Sequence, residues 1–113
     1  MEVTVNRKQE ANEAKKFYDI CHKLLIKKAH DYAEDGDCFS NFRKISVACD
    51  IEVEKILLMF ITLKIARIVE LLKKGKTMVG ESIQDSCVDI ANYSCILSLY
   101  ENEKSGGKHG KNF

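Results

Sequence analysis

The chain contains no proline in 113 residues. Proline is the strongest helix breaker, because its ring fixes φ and removes an N–H donor. Glycine, the next strongest interruption, falls at only a few points: Gly36, Gly75, Gly80, the pair Gly106–Gly107, and Gly110. Those points cut the chain into long uninterrupted segments, which predicts helices rather than many short strands. No internal repeat is visible.

The first segment, about Lys8 to Ala33, spaces Ala14, Phe17, Tyr18, Cys21, Leu24, Leu25, Ala29 and Tyr32 three or four apart. Lys16, Asp19, Lys23, Lys27 and His30 lie away from the centre of that arc, so the pattern predicts an amphipathic helix. It ends in the acidic turn Glu34-Asp35-Gly36-Asp37. A shorter segment, Phe39 to Ala48, holds one or two helical turns. Asp50 is expected to cap the next helix, with Glu52 and Glu54 suited to its positive end, and the helix should run to about Lys74 before Gly75. This helix is apolar almost all round. Ile61, Ile65, Ile68 and Leu72 define one side and Ile56, Phe60, Leu63 and Leu71 the other, so it needs cover on two sides, either at the centre of a bundle or as part of a subunit interface.

The fourth segment, Glu81 to about Glu101, is expected to turn Ile83, Cys87, Ile90, Ser94 and Leu97 to the core. The predicted fold is all-α: a bundle of three long helices and one short helix, with short connections that make neighbours antiparallel. Residues 1–103 should form a single domain, and 104–113 a flexible Gly/Lys-rich tail. A compact monomer of this size would have a radius of gyration of about 13 Å.

With Lys+Arg 18 against Asp+Glu 17, the net charge of +1 carries no signature of duplex nucleic acid or membrane binding. The longest apolar run, Ile56 to Leu63, is far short of the roughly 18 residues a membrane span needs. The amino-terminal MEVTVNRKQE lacks the apolar stretch of a signal peptide. Five cysteines, with no Cys-x-x-Cys pair and no histidine placed for a zinc box, read as reduced thiols in a cytoplasm.

The most informative stretch is Glu81-Ser-Ile-Gln-Asp85-Ser-Cys-Val-Asp89-Ile-Ala-Asn92-Tyr93. Helical geometry stacks Glu81, Asp85, Asp89 and Asn92 on one side. Like charges four apart repel, so a cation such as Mg²⁺ would explain the stripe; a solvated face is the alternative. The same side continues into Ile96 and Leu99, with Val88 beside the acids, so it faces a cleft or another subunit. Lys64 and Arg67 project together from the apolar third helix. An antiparallel hairpin turning near residues 76–77 would place Lys64 opposite Asp89 and Arg67 near Ser86. Two cations and three acids then meet, either as structural salt bridges or as a metal-and-phosphate site. Asp31 can reach the same end of the bundle from the first helix. Asn41 could cap a turn or touch a ligand, and Tyr32, Phe39 and Phe42 could stack a base or close the core. No Gly-rich phosphate loop or serine nucleophile motif is present, and Cys21-His22, side by side in sequence, cannot face each other on one helix.

In this order, Asp31-Tyr32, Asn41-Phe42-Arg43, Lys64-x-x-Arg67 and Glu81-x-x-x-Asp85-x-x-x-Asp89-Ile-Ala-Asn92-Tyr93 resemble the nucleotide-modification-associated domain common in phages. That domain is similar to MazG-like all-α nucleoside-triphosphate pyrophosphohydrolases. The likeness covers roughly residues 14–101. It implies an oligomeric helical bundle, a dimer or a dimer of dimers, that binds nucleotides. In active members Mg²⁺ on clustered acids cleaves (d)NTPs. Carried over, Glu81, Asp85 and Asp89 would be the metal-binding and catalytic acids. Asp31, Tyr32, Asn41, Phe42, Lys64, Arg67 and Asn92 would be the nucleotide-binding set. The sequence departs from the MazG-like pattern in one respect. Those enzymes carry a Glu-x-x-Glu pair on the preceding helix and space the later acids three apart. Here Lys64-x-x-Arg67 stands in that helix and the acids are four apart. Three classes stay open: a Mg²⁺-dependent phosphohydrolase, a non-catalytic protein that sequesters nucleotides or cyclic nucleotides in anti-defence, and a small helical interaction protein.

Overall fold

A computed structural model describes residues 2–32, 37–75 and 82–106, with the side chains of 29–32 excepted. The described residues form four helices and no strand: α1 (Arg7–Tyr32), α2 (Ser40–Cys49), α3 (Val53–Lys74) and α4 (Ile83–Lys104). They contain 26, 10, 22 and 22 residues. No helix among them is long and apolar enough to cross a membrane.

The helix ends follow local chemistry. Asn6 and Gln9 bond reciprocally ahead of α1: the Asn6 side chain accepts from the Gln9 N–H at 2.8 Å, and Gln9 accepts from the Asn6 N–H at 3.2 Å. This is the capping-box arrangement. Asp50 does not cap α3 as the sequence suggested. It closes α2 instead, in the left-handed conformation (φ 55, ψ 48), with its N–H on the Ser46 carbonyl. Asp tolerates that conformation better than most side chains, so it can end one helix where it was expected to begin the next. α3 starts at Val53, and the residue at its cap is the extended Glu52 (φ −61, ψ 145). Gly75 ends it at φ 71, a backbone state that favours glycine, with its N–H on the Leu71 carbonyl at 3.1 Å.

α3 and α4 form the central pair, α2 packs on the first half of α3, and α1 packs on α4. The core lies at the α2 end: Phe42, Val53, Ile56 and Leu57 are buried, with Phe60, Tyr93, Leu97 and Tyr100 against them. Nearer the α3–α4 turn, Leu71 and Ser86 are fully buried. Ser94, expected on the core side of α4, is exposed, while Val88 and Ser86 are buried in its stead. The cause is that α4 is packed from two directions, by α3 and by α1. With apolar residues around most of its circumference, no single face of the wheel decides which side goes inward.

One further expectation changes. The radius of gyration is 16.4 Å, with extents of 48 × 33 × 23 Å, larger than a compact chain of this length. α1 accounts for this: at 1.5 Å per residue it is about 39 Å long, and residues 7–13 are exposed throughout. α3 is covered on one side only, leaving Leu58, Met59, Leu63, Ile65, Val69 and Leu72 between 44% and 66% exposed.

Candidate functional site

Where α1, α2 and α4 converge over α3 they leave a cleft of about 470 Å³. Its floor is aromatic. The Phe42 and Phe60 rings lie 5.7 Å apart and the Phe60 and Tyr93 rings 5.5 Å, both tilted. Leu25 and Ile26 of α1, Ile45 of α2, and Ile96 and Leu99 of α4 extend the apolar wall. Asn41, Asn92, Lys28, Asp37 and Asp89 supply the polar groups. The continuation of the acidic stripe into Ile96 and Leu99 thus faces a cleft within the chain.

Asp89 ties three helices together at the cleft edge. Its Oδ2 accepts from Lys64 Nζ of α3 at 2.9 Å, and its Oδ1 from Lys28 Nζ of α1 at 3.4 Å. The Asp89 side chain is 14% exposed, against 25% for Lys64 and 46% for Lys28. Lys64 therefore meets Asp89 in the register expected of an antiparallel hairpin. Beside this hub, Asn92 Nδ2 donates to the Cys21 carbonyl of α1 at 3.0 Å, so Asn92 both lines the cleft and docks α1.

Across the mouth, Asp37 accepts from Arg43, whose guanidinium lies 5.5 Å from the Phe39 ring centroid. Phe39 in turn packs edge-on against Tyr100, 5.2 Å between centroids. Partial desolvation first and the neighbouring Asp37 charge second push the thiol of Cys38, an exposed residue, above its ordinary pKa. A raised pKa keeps the sulfur protonated at neutral pH and makes it a poor nucleophile.

The expected site residues separate into groups. Asn41, Phe42, Asp89 and Asn92 come together in the cleft. Lys64 reaches Asp89 from behind, and with Arg67 it also lines a groove on α3 bordered by Leu63, Glu70 and Lys74. Asp85 sits in the first turn of α4, where its Oδ2 accepts the Ser82 N–H at 3.0 Å while Ser82 Oγ accepts the Asp85 N–H at 3.1 Å. That capping box gives Asp85 a structural role. Glu81 and the side chains of Asp31 and Tyr32 lie outside the described residues. Among the described residues no three His, Cys, Asp or Glu side chains gather as a metal would require. Sequence reasoning missed Lys28, although a signal existed. It falls three after Leu25 and seven after Cys21, inside the apolar arc where a cation needs a partner.

Among the described residues, these features define an all-α arrangement with an aromatic-floored, polar-edged cleft. By sequence the chain belongs to the family described as nucleotide modification associated domain 1, whose model matches residues 28–100. The matched region opens at Lys28 and closes at Tyr100, and it includes every cleft residue named above except Leu25 and Ile26. No curated protein and no solved structure matches the chain.

Proposed function

We propose that the chain binds a nucleotide in this cleft, with the base over the Phe42–Phe60–Tyr93 floor and the sugar and phosphate toward Lys28, Asn41 and Asn92. The observation that carries the reading is the combination of an apolar aromatic chamber with a few polar groups at one edge. Its volume lies within the range of small-molecule sites, about 300–1,000 Å³. The family's description points the same way. Bases stack on aromatic faces, and the carboxamides offer both donors and acceptors to base or sugar.

Holding the ligand fits the side chains better than turning it over. In a MazG-like hydrolase, Glu81, Asp85 and Asp89 would carry Mg²⁺ and its activated water. Here Asp89 is committed to two lysines and Asp85 to its helix cap. A sequestering role, extending to cyclic nucleotides in a phage's defence of its own replication in host cytoplasm, needs neither carboxylate released. The test is to incubate the protein with a nucleotide panel, with and without Mg²⁺, and to analyse both bound and free ligand. Intact nucleotide recovered with the protein supports sequestration, Mg²⁺-dependent phosphate or pyrophosphate release supports the hydrolase, and neither would leave a helical interaction protein.

We further propose that the functional unit is a two-fold dimer through α3. Leu58, Thr62, Ile65, Val69 and Leu72 follow a 4-3-4-3 spacing on its exposed face. Leu58 and Leu72 each lie seven residues from Ile65, so an antiparallel copy centred there would set Leu58 beside Leu72 of the partner subunit. The same direction brings the acidic first turn of α3 toward the partner's basic last turn.

A further inference from the structure

Lys28 is the only cation lining the cleft among the described residues, and the other two charged groups there, Asp37 and Asp89, are carboxylates. Each carboxylate already has a cation, Arg43 for Asp37 and Lys64 for Asp89. The Lys28 contact differs from both. At 3.4 Å it is long, its side chain is almost half exposed, and it shares a carboxylate whose other oxygen holds Lys64 at 2.9 Å. A solvent-screened contact of that kind is worth little. Lys28 can therefore turn to an incoming anion while Asp89 keeps its tighter partner, so no charge is left uncompensated beside the core. One such exchange is available in the lining; a second and third phosphate would meet carboxylates.

From this we infer that the cleft takes a nucleoside monophosphate, its single phosphate held by Lys28, rather than a triphosphate. The inference rests on the nucleotide reading above and narrows it to a charge class. Lys28 also becomes a binding residue in its own right, delivered by α1, the helix whose Leu25 and Ile26 line the same cleft.

Calorimetric titration of the full chain with nucleosides, their 5′-monophosphates and their 5′-triphosphates, the last with and without Mg²⁺, tests it. For the preferred base, the monophosphate should bind at least about tenfold tighter than the nucleoside, the gain of one charge-assisted contact. The triphosphate should bind no tighter than the monophosphate, with or without Mg²⁺. Lys28→Gln should erase the monophosphate advantage while leaving nucleoside affinity within about twofold, because it removes the charge and spares the aromatic floor. A triphosphate that binds tighter than the monophosphate, or a Lys28→Gln variant that keeps the phosphate gain, overturns the inference. Nucleoside binding with no gain from phosphate overturns the single-phosphate site and leaves the base cleft standing. If no nucleoside or nucleotide of any charge binds, the nucleotide reading itself fails.

Discussion

Replacing Asp89 by Asn separates the structural and ligand-binding roles of the three-helix hub, because the two roles respond with opposite sign. The substitution removes a charged hydrogen bond at 2.9 Å and a looser one at 3.4 Å, and keeps the side-chain shape. A hydrogen bond to a charged group contributes about 1.5–3 kcal/mol when well shielded. Lys64 is a quarter exposed and Lys28 nearly half exposed, and the Asn oxygen still accepts one bond. The net loss should therefore sit toward the low end, about 1–2 kcal/mol. A chain of this size loses several degrees of Tm per kcal/mol, so thermal denaturation followed by circular dichroism should show a fall of about 4–10 °C. Binding moves the other way. A phosphate held by Lys28 would no longer face the Asp89 carboxylate, and removing one unit of repulsion across several ångströms of partly solvated protein is worth about 1 kcal/mol, or roughly fivefold tighter monophosphate binding. Titration and melting on the same preparation read both effects. A variant that melts lower and also binds more weakly would place Asp89 in direct contact with the ligand, or with a metal that carries it, and would refute the division of labour. If that variant also lost a Mg²⁺-dependent turnover present in the wild type, the hydrolase would replace the sequestering protein.

Three other perturbations follow from single contacts. Ser82→Ala removes the hydroxyl that accepts the Asp85 N–H, and should cost about 1 kcal/mol of stability in chemical denaturation without changing ligand affinity; a change in affinity with unchanged stability would assign this turn to the site. Ile65→Glu places a charge at the centre of the exposed α3 strip, where the isolated chain tolerates it because the side chain is 48% exposed. Sedimentation should show the wild type as a dimer and this variant as a monomer, and a monomeric wild type at micromolar concentration would remove the dimer. Lys104 bonds Glu54 and holds its carboxyl below the ordinary carboxylate range, while Glu54 raises the Lys104 ammonium. A depressed carboxyl contributes stability that is present above its unfolded pKa and lost as pH falls through the folded one. Lys104→Met should therefore flatten the acid limb of the Tm-versus-pH curve below about pH 5, and an unchanged limb would show the pair to be idle.

The fold was legible where the chain carries strong punctuation, and less so where a residue suits two roles. Absent proline and sparse glycine announced long helices, and Gly75 with Lys73 and Lys74 fixed the end of α3. Asp50 looked like a helix start because Asp caps N-termini well; it also tolerates the left-handed conformation, and ending α2 claimed it. The α4 wheel misdirected Ser94 because a helix packed from two sides has no dominant face, and hairpin geometry alone does not say from which direction α1 arrives. Residues 107–113 of the expected tail lie outside the described residues. Lys104, read as the first residue of a loose tail, ends α4 and reaches back to Glu54.

The candidate site divides along the same line. Sequence spacing fixes which residues share a helix face, so the Asp89–Lys64 pairing followed once α3 and α4 were read as an antiparallel hairpin. Spacing does not report which other element approaches that face. Asp85 and Asp89 occupy equivalent positions one turn apart on α4, and from the sequence alone they are interchangeable members of an acidic stripe. Position relative to the helix end makes them different: Asp85 falls three residues after Ser82 and closes a capping box, whereas Asp89 falls one turn deeper, where α1 and α3 both reach it with a lysine. An acidic stripe that reads as a row of metal ligands thus becomes, in its two described members, one helix cap and one three-helix tie. The cation that lines the cleft, among the described residues, is then Lys28, on the helix the acidic pattern never mentioned. A carboxylate held by two lysines can share one of them with a phosphate at small cost, and the proposed single-anion site rests on that asymmetry, 2.9 Å against 3.4 Å.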